Sequence, residues 1–217
     1  MNSLTEENYV KAVYLLSLSH AGKISPTVVA DDLQVNAASV VDMIKKLTVK
    51  KLITYHKTTG MKLTAKGLKT ALGIVRNHRL WEVFLLEKLG YSWDVVHEIA
   101  EQLEHVKHPE LADRLDTFLG NPQYDPHGDP IPMRSGKIPL TVRTTLSDVP
   151  TGKSCKVVAV KDTSPIFLQY LQQLGVNIHT SIKVIDRIEF DDTLVVKIGN
   201  QPHKSVSKKF ADSLLVD

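Results

Sequence analysis

A chain of 217 residues with 42% apolar content has room for two or three small globular domains, and no apolar run is long enough to cross a bilayer. Its single cysteine, Cys155, excludes an intramolecular disulfide framework and any multi-thiolate zinc or iron–sulfur site. The start MNSLTEENYVKAVYLL is acidic where a signal peptide would be basic, so a bacterial-type cytoplasmic protein with no membrane partner is expected.

The net charge of +3 is unevenly distributed. Residues 1–77 carry 11 Lys/Arg against 5 Asp/Glu, residues 78–137 carry 6 against 11, and residues 138–217 carry 10 against 8. The acidic middle also holds five of the nine histidines. A basic head suits a polyanion, because each neutralised phosphate releases counterions. An acidic, histidine-rich middle suits a hard or borderline cation.

In chain order, TEENYVKAVYLLSLS (5–19) reads as a helix with Thr5 as N-cap and Glu6 and Glu7 in its first turn. Ser25 and Pro26 then open a short helix that stops near Leu33. A QVN turn leads into AASVVDMIKKLTVKKL, where Val40, Val41, Ile44, Leu47 and Leu52 keep helical spacing. ITYH, a TTG turn and MKLT predict a β-hairpin, and three helices closing on a hairpin make a winged helix-turn-helix. One long helix follows from Thr64 to about Lys88, weakened locally by Gly67 and Gly73 and stopped by Gly90. Ser92 caps WDVVHEIAEQLEHV, and Pro109 starts ELADRLDTFL, which ends at Gly120. Residues 122–139 hold five of the ten prolines and mark a tether. Beyond it, KSCKVVAVK, SIKVIDRIEF and TLVVKIG read as strands, with SPIFLQYLQQLG as the single helical patch of a small, partly open β-barrel. The expected fold is therefore α+β and multidomain. Its domains are a winged helix (1–72), a helical metal-binding and dimerisation domain with its tether (73–137), and a small β-barrel (138–217).

On a helical wheel at about 100° per residue, His97, Glu101, Glu104 and His105 share one arc of roughly a quadrant. His78 and Glu82, spaced i, i+4, share a face of the preceding helix. Antiparallel packing would group His78, Glu82 and His97, and leave Glu101, Glu104 and His105 as a second cluster. One such pair is ordinarily a solvated face, contributing only tenths of a kcal/mol. Six imidazole and carboxylate groups on two adjacent helices point instead to Mn(II), Fe(II), Co(II) or Zn(II).

HRLWEVFLLEKLG, VVHEIAEQLEHVKHPE and DPHGDPIP, in that order, resemble the diphtheria toxin repressor family, which includes manganese-transport regulators, and the resemblance covers the whole chain. It implies a homodimeric, metal-dependent DNA-binding repressor whose C-terminal domain is SH3-like (FeoA-like). It also implies an ancillary site of His78, Glu82 and His97, and a primary site of Glu101, Glu104 and His105 joined by Asn8 from the first helix. The iron-sensing branch usually has cysteine where this chain has Glu101, so a carboxylate there favours Mn(II), with Fe(II) next and Co(II), Zn(II) or Ni(II) expected in vitro. Asn8 offers only a neutral amide oxygen, which lowers the site charge and leaves the metal preference open. Arg79, Asp125 and Asp129 fall at positions around the ancillary site; the two aspartates read equally as Asx-turn residues of a Pro-rich loop. In some relatives the C-terminal domain adds a ligand, for which Asp162 and Gln169 are the candidates, although the usual E-x-x-Q spacing is absent.

The recognition helix begins near Asn36 and exposes Asn36, Ser39 and Asp42, with Lys45 and Lys46 further along. The wing adds Lys57 and Lys62 for phosphate contact, and Ala37 and Ala38 suit thymine methyls. Asn36 reads equally as an N-cap. Leu111, Leu115 and Phe118 are candidate dimer contacts. An enzyme using the same His/Glu cluster, such as a metallohydrolase, would leave the basic head unexplained. A metal-independent winged-helix regulator would leave the cluster unexplained.

Overall fold

The computed structural model describes residues 2–139 and 143–217. They fall into two compact units, each with its own core. The first comprises Met1–His78, Glu101–Arg114 and Pro132–Lys137, and the second Arg79–Ala100, Leu115–Ile131 and Ile138–Asp217.

In the first unit, α1 spans Leu4–Ser19, and its N-cap is Ser3, not Thr5. Ser3 and Glu6 form a reciprocal capping box, which satisfies two backbone donors where Thr5 would satisfy one. The helix α2 (Pro26–Leu33) has Ser25 as N-cap and ends on Gln34 in the left-handed region, which turns the chain into α3 (Ala37–Val49). Val10, Val13, Val29, Val40, Ile44 and Leu47 close the core beneath these helices. The hairpin of β1 (Ile53–His56) and β2 (Gly60–Leu63) completes the winged helix, with Ile53 opposite Leu63. The long helix α4 (Ala65–Glu87) leaves this unit and continues into the second.

In the second unit, α5 spans Val96–Leu103, shorter than the expected 93–106, and passes into the first unit at Glu101. Ser92 instead caps a tight turn, with the Val95 and Val96 N–H groups donating to its carbonyl. The chain continues through α6 (Leu111–Phe118). The C-terminal part is a six-stranded sheet in the order β3-β8-β4-β5-β6-β7, formed by β3 (Thr144–Thr145), β4 (Ser154–Val160), β5 (Ser181–Ile188), β6 (Thr193–Ile198), β7 (His203–Val206) and β8 (Leu214–Val216). Bulges at 157/159 and 184/186 bend the sheet around a core that includes Val157, Ile182, Val184, Leu194 and Trp93. Two helices, α7 (Pro165–Leu174) and α8 (Lys208–Ser213), accompany the sheet, where one helical patch was expected. The added helix is six residues long and is held by a Ser207 cap, too short for a helical period to register in the sequence.

Gly67 has a specific reason to be glycine. A Cβ there would lie 1.9 Å from the Leu52 carbonyl oxygen, the same oxygen that accepts from the Thr64 N–H. Gly73 on the same helix has nothing within 4 Å. Gly67→Ala is therefore expected to destabilise by about 2 kcal/mol through steric displacement. Gly73→Ala should stabilise by about 0.5–1 kcal/mol through helix propensity, and thermal unfolding of the two variants checks the opposite signs. Burial pushes the Cys155 thiol up to about 11 while its Sγ donates to the Ile182 carbonyl. At pH 8 the folded protein should thus resist thiol-specific labelling, and react only on denaturation.

Candidate metal centres

Two groups of titratable side chains form, one in each unit. In the first unit, Glu7, Asn8 and Lys11 occupy one face of α1 at spacings of three and four residues. Opposite them lies the end of α5 and the turn that follows it. The Lys11 ammonium donates to Glu101 Oε1 and to Glu104 Oε2, both at 2.6 Å. Glu104 is 1% exposed, and its Oε2 also meets His78 Nδ1 at 2.7 Å. The backbone carbonyl of Glu104, at the end of the helix, accepts from Asn77 Nδ2. Glu104 and His105 lie just past α5, in a turn, and not on the continuous wheel that spacing implied.

His105 is fixed from its other side. Its Nδ1 lies 2.8 Å from Glu7 Oε2, and Glu7 is itself held by Lys107 at 2.7 Å. With Nδ1–H donating to the carboxylate, Nε2 keeps its lone pair, the arrangement that orients a metal-binding imidazole. Among the described residues, three buried atoms here have no hydrogen-bond partner: Asn8 Oδ1, Glu104 Oε1 and His105 Nε2. The last two face one another at 3.4 Å. Two lone pairs cannot be buried at that separation without a proton or cation between them. Ligands about 2.1 Å from a shared cation stand roughly 3.0–3.5 Å apart, so these residues fit a divalent metal ion.

In the second unit, Glu82 of α4 meets two imidazoles, His97 Nδ1 at 3.1 Å and His127 Nδ1 at 3.6 Å. Glu82 and His127 are each 2% exposed, and Asp125 joins them in a buried trio whose ligand atoms lie within 4.8 Å of one another. The loop 125–129 is shaped by Asp125, whose Oδ1 accepts from the His127 and Asp129 N–H groups. Asp125 Oδ2 faces Arg79 Nε at 3.3 Å, and Arg79 also reaches Asp129 Oδ2 at 3.2 Å and the Pro130 carbonyl at 2.6 Å. β4 anchors the loop, since Val160 N–H donates to the His127 carbonyl and a Cβ on Gly128 would strike Val158 O at 2.0 Å. Burial, then the neighbouring Glu82 and Asp129, hold the Asp125 carboxyl well above the usual range, and Arg79 only partly offsets them. Burial also lowers the basicity of His127, which is stacked on Trp93 and leaves Nε2 unpartnered. A buried imidazole beside the carboxyl groups of Glu82 and Asp125 fits a divalent cation here as well.

Of the ancillary set expected from antiparallel packing, His78 Nδ1 meets Glu104, and Glu82 meets His97 at 3.1 Å. Asp162 accepts from the Ser164 N–H, and Gln169 donates to Asp94. Sequence reasoning missed Lys11, Glu7 and His127. Leu115 is buried within the chain, whereas Phe118 is 65% exposed. On the head, Asn36 caps α3 through Ala38 N–H, and Ala37, Ala38, Ser39, Asp42, Lys45 and Lys46 are exposed along it. Asp42 and Lys45 form an exposed pair at 3.0 Å, and Lys57 and Lys62 are exposed on the hairpin.

Three family models match successive segments. These are the iron dependent repressor N-terminal DNA binding domain (residues 1–61), the iron dependent repressor metal binding and dimerisation domain (64–133) and the FeoA domain (144–217). A solved "Manganese-dependent transcriptional repressor complex with manganese" is 32% identical, with a TM-score of 0.86 over 97% of this chain and 98% of that one. The "Iron-dependent repressor IdeR" of Mycobacterium leprae is 28% identical over 90% of this chain and 83% of its own length. A "Probable metal transport system membrane protein" of Chlamydia trachomatis is 47% identical over 75 residues, which are 35% of this chain and only 17% of that protein. With its three segments matched in order and a relative of this identity aligned along nearly its full length, the chain belongs to the diphtheria toxin repressor family of metal-dependent transcriptional repressors, which are not enzymes.

Proposed function

We propose that the protein is a homodimeric repressor that binds a double-stranded DNA operator when a divalent cation is held by Asn8, Glu104 and His105. The observation that carries this reading is the trio of buried, unpartnered ligand atoms supplied by α1 and by the turn after α5. A cation there joins the DNA-binding head to a segment nearly a hundred residues further along. It would bias the orientation of the head without altering the surface that meets DNA. Glu82, Asp125 and His127, with His97, form a second set able to take a cation. The donors are all oxygen and nitrogen, which supports Mn(II), with Fe(II) next and Co(II), Zn(II) or Ni(II) in vitro. The similarity to solved manganese-dependent repressors also supports Mn(II).

DNA contact falls to α3 and the hairpin. Exposed Ala37, Ala38, Ser39 and the Asn36 cap present short groups to base edges, while Lys45, Lys46, Lys57 and Lys62 meet phosphates. Phe118, exposed at the end of α6, supports a subunit contact there. The domain limits that suit this division are 1–72, 73–137 and 138–217.

Manganese binding by metal-stripped protein, followed by the loss of the free-ion EPR signal, tests the metal assignment. His105→Ala is expected to weaken one site at least tenfold and leave the other, and His127→Ala the converse. Unchanged titrations in both variants would overturn the assignment. For DNA, Lys46→Ala should weaken operator and unrelated duplex alike and reduce the salt slope of log affinity by about one.

A further inference from the structure

The Lys11 ammonium is the feature the metal reading does not absorb. It is a charged group on a buried helix face, 8% exposed, and it lies 2.6 Å from two carboxylates that the family resemblance counts among the metal ligands. Two such short contacts from one Nζ are what a bridging cation makes with a carboxylate pair. Glu104 uses Oε2 for Lys11 and His78, and only its Oε1 lacks a partner. The side chain therefore divides its two oxygens between a cation the protein carries and one it does not.

We propose that Lys11 is a built-in cation of this centre, taking the place of a metal ion between Glu101 and Glu104 and tying α1 to the end of α5. The inference rests on the reading that Asn8, Glu104 and His105 hold a metal. It has two consequences. The fixed positive charge lies beside the metal position and engages Glu101 through Oε1, so the centre binds Mn(II) more weakly than its carboxylate count implies. The tie between α1 and the end of α5 also persists without metal, because Lys11–Glu101, Lys11–Glu104 and Lys107–Glu7 all remain. Lys11 thereby sets the concentration at which the repressor responds, and does not act as a ligand.

The test is calorimetric Mn(II) titration of the full-length chain, wild type against Lys11→Met, Lys11→Gln and Lys11→Arg. The Met and Gln variants should bind Mn(II) at least tenfold more tightly, while Arg, which keeps the charge, stays within about threefold of wild type. In the metal-free state Met and Gln should melt below wild type, and saturating Mn(II) should restore more of their stability than it adds to wild type. Adding His105→Ala to each background locates the event. If His105→Ala removes a site but Lys11→Met and wild type bind alike, the lysine inference fails while the metal assignment stands. If His105→Ala changes nothing in either background, the metal assignment itself fails. Should Met and Gln both fail to fold, metal-free wild type is probed by amine labelling: Lys11 must label at least tenfold more slowly than the exposed lysines Lys45 and Lys57, and labelling at their rate overturns the proposal.

Discussion

A carboxylate with 1% of its surface exposed, that of Glu104, is the constraint around which the first unit is organised. A buried, ionised carboxylate is tolerable only where cations and donors surround it. Here the surrounding groups come from three places in the chain: Lys11 on α1 and His78 on α4 meet Oε2, and His105 Nε2 faces the remaining oxygen, Oε1. Removing any one leaves charge or lone pairs uncompensated, so the group couples the first helix to the end of α5 energetically. The winged head has its own apolar core; what fixes α1 to residues 101–107 is polar. That is the kind of contact a change in metal occupancy can strengthen or weaken.

The second group obeys different rules. Glu82 and Asp125 are two buried acids in one cluster, with Arg79 as the balancing cation and Asp129 nearby. The loop that carries Asp125 and His127 owes its shape to Asx hydrogen bonds and to the backbone of β4. Part of this centre is thus built by the C-terminal β domain through the loop. Substitutions at Gly128 or Val160, neither of which offers a ligand atom, are in a position to disturb it.

Much of this was legible in the sequence. Charge segregation, the Ser25-Pro26 start, the hairpin residues and the four-residue spacings located the winged head, the long helix and most of the ligand types. The exceptions have physical causes. Lys11 and Glu7 act on residues ninety or more positions away, and no local period reports such a contact. The one signal was a lysine among Val10, Ala12 and Val13, on a helix whose faces are buried almost all round. His127 sits in DPHGDP, where proline and glycine speak for turn geometry and conceal a candidate ligand. The wheel carried α5 through His105 because it assumed the helix continued, whereas the helix ends at Leu103 and Asn77 satisfies the Glu104 carbonyl beyond it. At the C-terminus, β7 and the six-residue α8 are too short and too polar for pattern to declare them. Glu101 shows the opposite failing: its residue type was read correctly as a carboxylate, but its bond to Lys11 changes what that carboxylate can do.

The central claim is that a divalent cation held between α1 and the turn after α5 raises affinity for DNA. Fluorescence anisotropy with a labelled operator duplex at fixed salt, comparing chelator-stripped and Mn(II)-saturated protein, measures it directly. The account predicts tighter operator binding with Mn(II), reversed on chelation and absent in Glu104→Gln. Equal operator affinity in the stripped and loaded protein, across Mn(II) and Fe(II), would contradict it.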